Sequence, residues 1–215
     1  MTPRVGAVML AALLLGGGAT AAAAPLSLSS QQVAVFRVDA TVSLSSCTAG
    51  ATADAYVTEP LSGAGAETEL RVASALGANK RSFLRLDLAP CAIPTAARVT
   101  SAELRLHLST APGSSRIYDA FRVTASWADT LTWPTQPAVA ASASASAATG
   151  TTAGVTLAWN VLTDTAAFVA GTQTNNGWRV SDRTESNLTA LEGRFSAREH
   201  ASTSERPALA VSWYP

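Results

Sequence analysis

The 215-residue chain contains only two histidines, two cysteines and a single lysine, Lys80. Two distant cysteines and two distant histidines provide too few ligands for a zinc centre or for catalytic thiol chemistry. An excess of charge of one sign is also missing, with 15 basic against 15 acidic side chains. A nucleic-acid binder needs a clustered basic surplus to displace counterions from phosphate, so the balance argues against that class. There is no GxSxG elbow, HExxH helix or DxDxDG loop, and the hydrolase, metalloprotease and calcium-loop chemistries that use them lack their carriers. The one long apolar run, residues 5–15, falls short of the roughly 20 residues a membrane-spanning helix needs.

That run is informative in another way. Residues 1–4 supply a positive start, residues 5–15 an apolar centre and residues 19–24 a small-residue zone, the pattern of a secretory signal peptide over residues 1–24, cleaved near Ala23. The expected organisation is then an N-terminal extension with an extra strand at 25–53 and one domain at 54–215, secreted and extracellular. In an oxidising compartment Cys47 and Cys91 pair most simply as a disulfide, worth roughly 4 kcal/mol on a chain-entropy account.

What the chain does have is alternation. Leu84, Leu86 and Leu88 fall on one face of a strand, with Phe83, Arg85 and Asp87 on the other; Leu104, Leu106 and Leu108 alternate with Glu103, Arg105 and His107. Period two with one apolar and one polar face is the mark of antiparallel strands. Further strands are expected at 33–42, 54–58, 68–73, 115–124, 155–162, 178–181, 191–198 and 208–214. About ten short strands separated by turn signals point to an all-β, jelly-roll-like antiparallel β-sandwich. One short helical crossover is expected, capped at Thr163 and Asp164 and stopped by Gly171. Residues 138–154, almost purely Ala, Ser, Thr and Gly, are expected to form a mobile loop.

Three groups of residues could carry function. Residues 122–137 place Trp127 and Trp133 around a turn ending in prolines, either packing a loop on the core or presenting flat faces to a ligand. Glu69 and Arg71, Arg85 and Asp87, and Glu103 and Arg105 set opposite charges two apart, on one side of each strand; a lattice of such pairs suits carboxylates and sugar hydroxyls, or simply dresses a sheet. Asp54, Asp87, Asp119, Asp129 and Asp182 keep calcium open as a cofactor, with turn-forming and salt-bridging roles as the alternative. His107 and His200 read as solvated or salt-bridged side chains. A glycosidase built on Asp and Glu alone depends on a carboxyl separation that only three dimensions reveal.

With these residues in view, the chain resembles the secreted bacterial DNRLRE domains and the related carbohydrate-binding module family 96. The resemblance runs from Asp54 to the C-terminus. It is carried by Asp54-Ala55-Tyr56-Val57, Leu70-Arg71-Val72, Arg81-Ser82-Phe83-Leu84-Arg85-Leu86-Asp87-Leu88, and Val99-Thr100-Ser101-Ala102-Glu103-Leu104-Arg105-Leu106. Arg122-Val123-Thr124 with Trp127, Thr132-Trp133 and Pro137 follow, then Trp159-Asn160-Val161, Asn176-Gly177-Trp178 and Phe195-Ser196-Ala197-Arg198-Glu199 before Arg206-Pro207. Two departures stand out: Ser62-Gly63-Ala64-Gly65 where the family often has an Asn-x-Gly turn, and Asp129 one position beyond the family's usual Glu. The resemblance implies a jelly-roll-like sandwich that binds glycans, acidic polysaccharides included, without catalysis. The expected sugar-binding residues are Arg71, Arg85 and Arg105, then Trp133 and Trp178, with Trp127 assigned to packing. The expected partner is a polysaccharide or cell-wall glycan, without nucleic acid or a membrane span. The alternative is a structural or adhesive cell-surface domain in which every Trp is core or pins a loop.

Overall fold

A computed structural model describes residues 42–60, 63–64 and 67–215. The signal peptide, and all but Val42 of the strand expected at 33–42, lie outside the described residues. The elements are β1 (Ser45–Thr58), β2 (Gly63–Ala64), β3 (Glu69–Ser74), β4 (Lys80–Leu86), β5 (Arg98–Thr110), β6 (Ile117–Arg122), β7 (Ala145–Ala148), β8 (Val155–Asn160), α1 (Leu162–Val169), β9 (Trp178–Asp182), β10 (Leu191–Ser196) and β11 (Ala208–Tyr214). β1 runs unbroken through residues 53 and 54, where the extension was expected to meet the domain.

The all-β, antiparallel expectation is met, with a single α-helix. The sheet, however, closes: β1 pairs β11, then β5, β10, β3 and β4 follow, and β4 pairs β1 again. The result is a barrel where two separate stacked sheets were expected. β9, β6 and β7 continue from β4, and β8 flanks β5. Closure depends on β1 serving two walls. Its residues 45–50 pair β11 and its residues 51–58 pair β4, with a register shift between Ala51 and Ala53. An irregularity of that kind bends a strand and lets it turn a barrel corner.

Inside, the alternation works as the sequence suggests. Leu84, Leu86, Leu104, Leu106 and Leu108 are fully buried with Tyr118, Trp159, Trp178 and Phe195. The polar handles of these aromatics are satisfied, as burial requires. Trp159 Nε1 donates to the Tyr118 carbonyl at 2.9 Å, and the Tyr118 hydroxyl donates to the Val72 carbonyl at 3.1 Å. The Cys47–Cys91 disulfide forms, with Cα atoms 5.7 Å apart, and ties β1 to the 3₁₀ turn after β4.

Three local expectations change. Phe83 shares its strand face with Arg81 and Arg85, yet it is fully buried. Residues 123–139 cover it, building a second small core from Ala55, Val57, Phe83, Val123 and Leu131 with Trp127, Trp133 and Val139 packed against it. Residues 138–154 are not wholly loop, because they contain β7, which pairs with β6. Pairing along an edge uses backbone groups that alanine and serine possess as fully as valine, and Ala145 and Ala147 pack against the main core. The helix forms where expected, but without a side-chain cap from Thr163 or Asp164. Asn160 Oδ1 instead accepts the Leu162 N–H at 3.1 Å, and Gly171, at φ +69°, follows the helix end.

Candidate functional site

β5 points Leu104, Leu106 and Leu108 inward, so Glu103, Arg105 and His107 stand on the outer face. The register then decides what surrounds them. Arg105 lies opposite Ala208 of β11 and Ala158 of β8, while Glu103 lies opposite Ala210 and His107 opposite Thr156. Beyond β11, Thr48 and Ser46 of β1 continue the row beside Ala210 and Ser212. Small residues flanking long ones leave hollows. One, of about 470 Å³, is lined by residues including Ser46, Ser101, Glu103 and Ser212. A second, of about 480 Å³, is lined by residues including His107, Thr156, Glu205 and Arg206. Arg105 and Thr48 line both, so the two hollows are neighbours on one face.

The Arg105 side chain is 47% exposed and its partner Glu103 42% exposed, 2.7 Å apart. An ion pair so open to water is worth at most about 1 kcal/mol and yields readily to another acceptor. Glu103 takes the Nε and Nη2 donors; Nη1 makes no hydrogen bond among the described residues. At the far end Glu205 stands 3.6 Å from His107 Nε2 and 3.7 Å from His200 Nδ1. The wall can therefore offer guanidinium, imidazole, carboxylate and hydroxyl groups to a polar chain, and among the described residues no Trp, Tyr or Phe lines it.

The other expected residues do not gather here. Arg71 lies over the Tyr56 ring at 5.4 Å, 3.4 Å from Glu69 and 3.8 Å from Glu192, within a network to which Lys80 and Arg194 also belong. Arg85 covers Trp127 at 5.5 Å and donates to its carbonyl at 3.3 Å. Asp87 does not pair with Arg85; it accepts the Ala89 N–H at 2.9 Å. The three-arginine lattice therefore does not assemble, because β3 and β4 lie on a different part of the barrel from β5.

The tryptophans are withdrawn. Trp178 has no exposed surface and cannot stack on a sugar: its indole N–H donates to Asp164 at 2.9 Å and its ring lies 5.4 Å from Phe168. Trp133 is half-buried, with the Arg81 guanidinium 4.3 Å over its ring. Trp127 packs 5.9 Å from Phe83 and donates to the Asn176 carbonyl at 2.8 Å. Trp159 and Trp213 are buried.

The aspartates considered for calcium have protein partners. Asp182 holds Arg116 through both carboxylate oxygens, Asp119 holds Arg183, and Asp129 holds Arg198 at 2.7 Å. Asp54 is buried, and burial pushes its carboxyl up to about 7, although it accepts the Arg198 N–H at 2.8 Å. Among the described residues no three His, Cys, Asp or Glu side chains converge as cation ligands. What sequence reading missed is the pair of hollows. The outward run Ala208, Ala210 and Ser212 was visible, but not that it would lie beside Glu103 and Arg105.

The sequence model of carbohydrate-binding module family 96 matches residues 45–212, from the first residue of β1 into β11. No curated protein matches the chain, and among the described residues no helix is long and apolar enough to cross a membrane.

Proposed function

The chain belongs to carbohydrate-binding module family 96, and from that premise we propose that it is an exported, non-catalytic module that binds an acidic, uronic polysaccharide along the open wall centred on Arg105. The observation that carries this reading is that Arg105 and Thr48 line two neighbouring hollows on the same face. A polysaccharide needs an extended groove with repeated hydrogen-bonding groups, and a uronate adds a carboxylate that matches the guanidinium fork. Export is supported by the signal-like N-terminus and by the disulfide, which persists in oxidising compartments.

Affinity electrophoresis through gels containing polygalacturonate, alginate or a neutral glucan tests the reading. Retardation is expected on a uronic polysaccharide, and Arg105→Ala is expected to weaken it by about tenfold, the loss of one good charge-assisted contact. Unaltered mobility of the wild-type protein on every polysaccharide would sink the idea. That result would favour the structural or adhesive reading, which draws its support from the five indoles all being engaged in packing.

A further inference from the structure

Away from this wall, the Arg179 guanidinium is half-buried and has neither an ion-pair partner nor a hydrogen bond from its Nε among the described residues. Arg179 stands on β9 with Phe83 of β4 on one side and Phe121 of β6 on the other. Its guanidinium lies 4.6 Å over the Phe121 ring, and its Nε is buried with no hydrogen-bond partner among the described residues. Around it, cations and anions are matched. Arg81 holds Glu185 through two bonds of 2.7 and 2.6 Å and reaches Gln136 at 3.1 Å. Arg116 holds Asp182 and Arg183 holds Asp119, each through paired bonds. Glu185, which acts on Arg179 from beyond ion-pairing distance, is already bound to Arg81. Burial, reinforced by the Arg81 charge, lowers the Arg179 pKa to about 10. The group is still cationic at neutral pH, but held in an unfavourable place.

A half-buried charge left unpaired destabilises a fold, and an external anion would offset that cost. We infer that Arg179, seated on Phe121 beside Arg81, is a second binding point that takes a carboxylate, separate from the Arg105 wall. The carboxylate could belong to a sugar acid or to a small free acid. Either would accept from the terminal Nη1 and Nη2 donors of Arg179, since Nε is buried, and the aromatic ring beneath holds the guanidinium in place.

NMR titration of the isotope-labelled secreted protein tests this, using D-glucuronate as probe with acetate and glucose beside it. Glucuronate is expected to shift the Arg179 Nε–H signal and the Phe121 and Ser181 amides in a saturable way, in wild type and in Arg105→Ala alike, while glucose leaves them still. An equal response to acetate assigns the site to free carboxylates; a response to glucuronate alone assigns it to sugar acids. Arg179→Met is expected to abolish the amide shifts and, by removing the unpaired charge, to raise the melting temperature by about 2–4 °C. If that variant does not fold, Arg179→Lys keeps the charge without the fork and should weaken saturation about tenfold. No saturable shift in the wild type, or amide shifts that survive in Arg179→Met or vanish in Arg105→Ala, would overturn the inference. Retention of polysaccharide in the gels is judged separately and bears on the wall alone.

Discussion

At the scale of single residues, Gly177 shows how one position can be both legible and unexplained in sequence. Asn176-Gly177-Trp178 reads as a turn leading into a strand, and the reason for glycine is a tertiary one. A Cβ there would sit 1.8 Å from the Leu84 carbonyl oxygen and 2.7 Å from the Arg85 Cα, at a φ of +77°. Backbone cannot move aside as a flexible side chain can, because Leu84 is paired with Trp178 across β4 and β9. Gly177→Ala is therefore expected to leave little folded protein, as seen by loss of soluble yield or of the cooperative melting transition. Gly193→Ala meets a milder obstacle, the Tyr118 hydroxyl at 2.7 Å. It should lower stability by about 1–3 kcal/mol, the usual range for overpacking, and denaturant melts of Gly193→Ala alone and with Tyr118→Phe should show the second change recovering part of the loss. Trp178 illustrates the opposite limit. Its residue type suggested a sugar platform, but a single aromatic carries no sign of which side of the strand faces the core.

At the scale of elements, the segment 123–139 resolves the choice posed by Trp127 and Trp133 in favour of packing. It closes over Phe83, and it is pinned by the Trp127 N–H to Asn176, by Arg85 across the Trp127 ring, and by Asp129 to Arg198. Trp127→Ala should uncover Phe83 and cost about 2–4 kcal/mol, somewhat below a full Trp deletion because the ring is only half-buried. Denaturant melts would measure that loss, and hydrogen exchange should quicken at the Thr124 and Val123 amides, which bond Ala138 and Gly177. If exchange there stayed unchanged, Trp127 would not be the pin. The strands around this segment were readable because each shows its own alternation. β7 was not, because a run of Ala and Ser has no apolar face to recognise and its order comes from the β6 edge beside it.

At the scale of the whole molecule, stability against pH should carry two opposing contributions. Asp54 is raised from 3.8 to about 7, chiefly by burial. The folded state therefore holds a proton that the unfolded state has released between those values, and stability falls as pH rises through that window. Burial also opposes ionisation of Asp119 and Glu192, but Arg183 with Ser146, and Lys80 with Arg194, outweigh it and hold both carboxyls below their ordinary values. Their contribution is present at neutral pH and is lost as the medium turns acid. Thermal melts across pH 3 to 9 are expected to show Asp54→Asn declining less than wild type between about pH 4 and 7, with slopes bounded by about 1.4 kcal/mol per pH unit for one proton. Parallel curves for the two proteins would contradict the raised Asp54.

The sequence by itself determined the all-β class, the inward leucines of β4 and β5, the place of the helix and, with only two cysteines present, which sulfurs could pair. These follow from periodicity and composition, properties a strand has before it meets a neighbour. Tertiary structure alone decided that the sheet closes, that Arg105 stands between alanines while Arg71 and Arg85 lie against other partners, that the tryptophans are engaged in packing, and that Arg179 meets no ion-pair partner among the described residues. Each of those depends on register and closure between segments far apart in the chain, and an outward-facing residue looks the same in sequence whichever strand lies beside it.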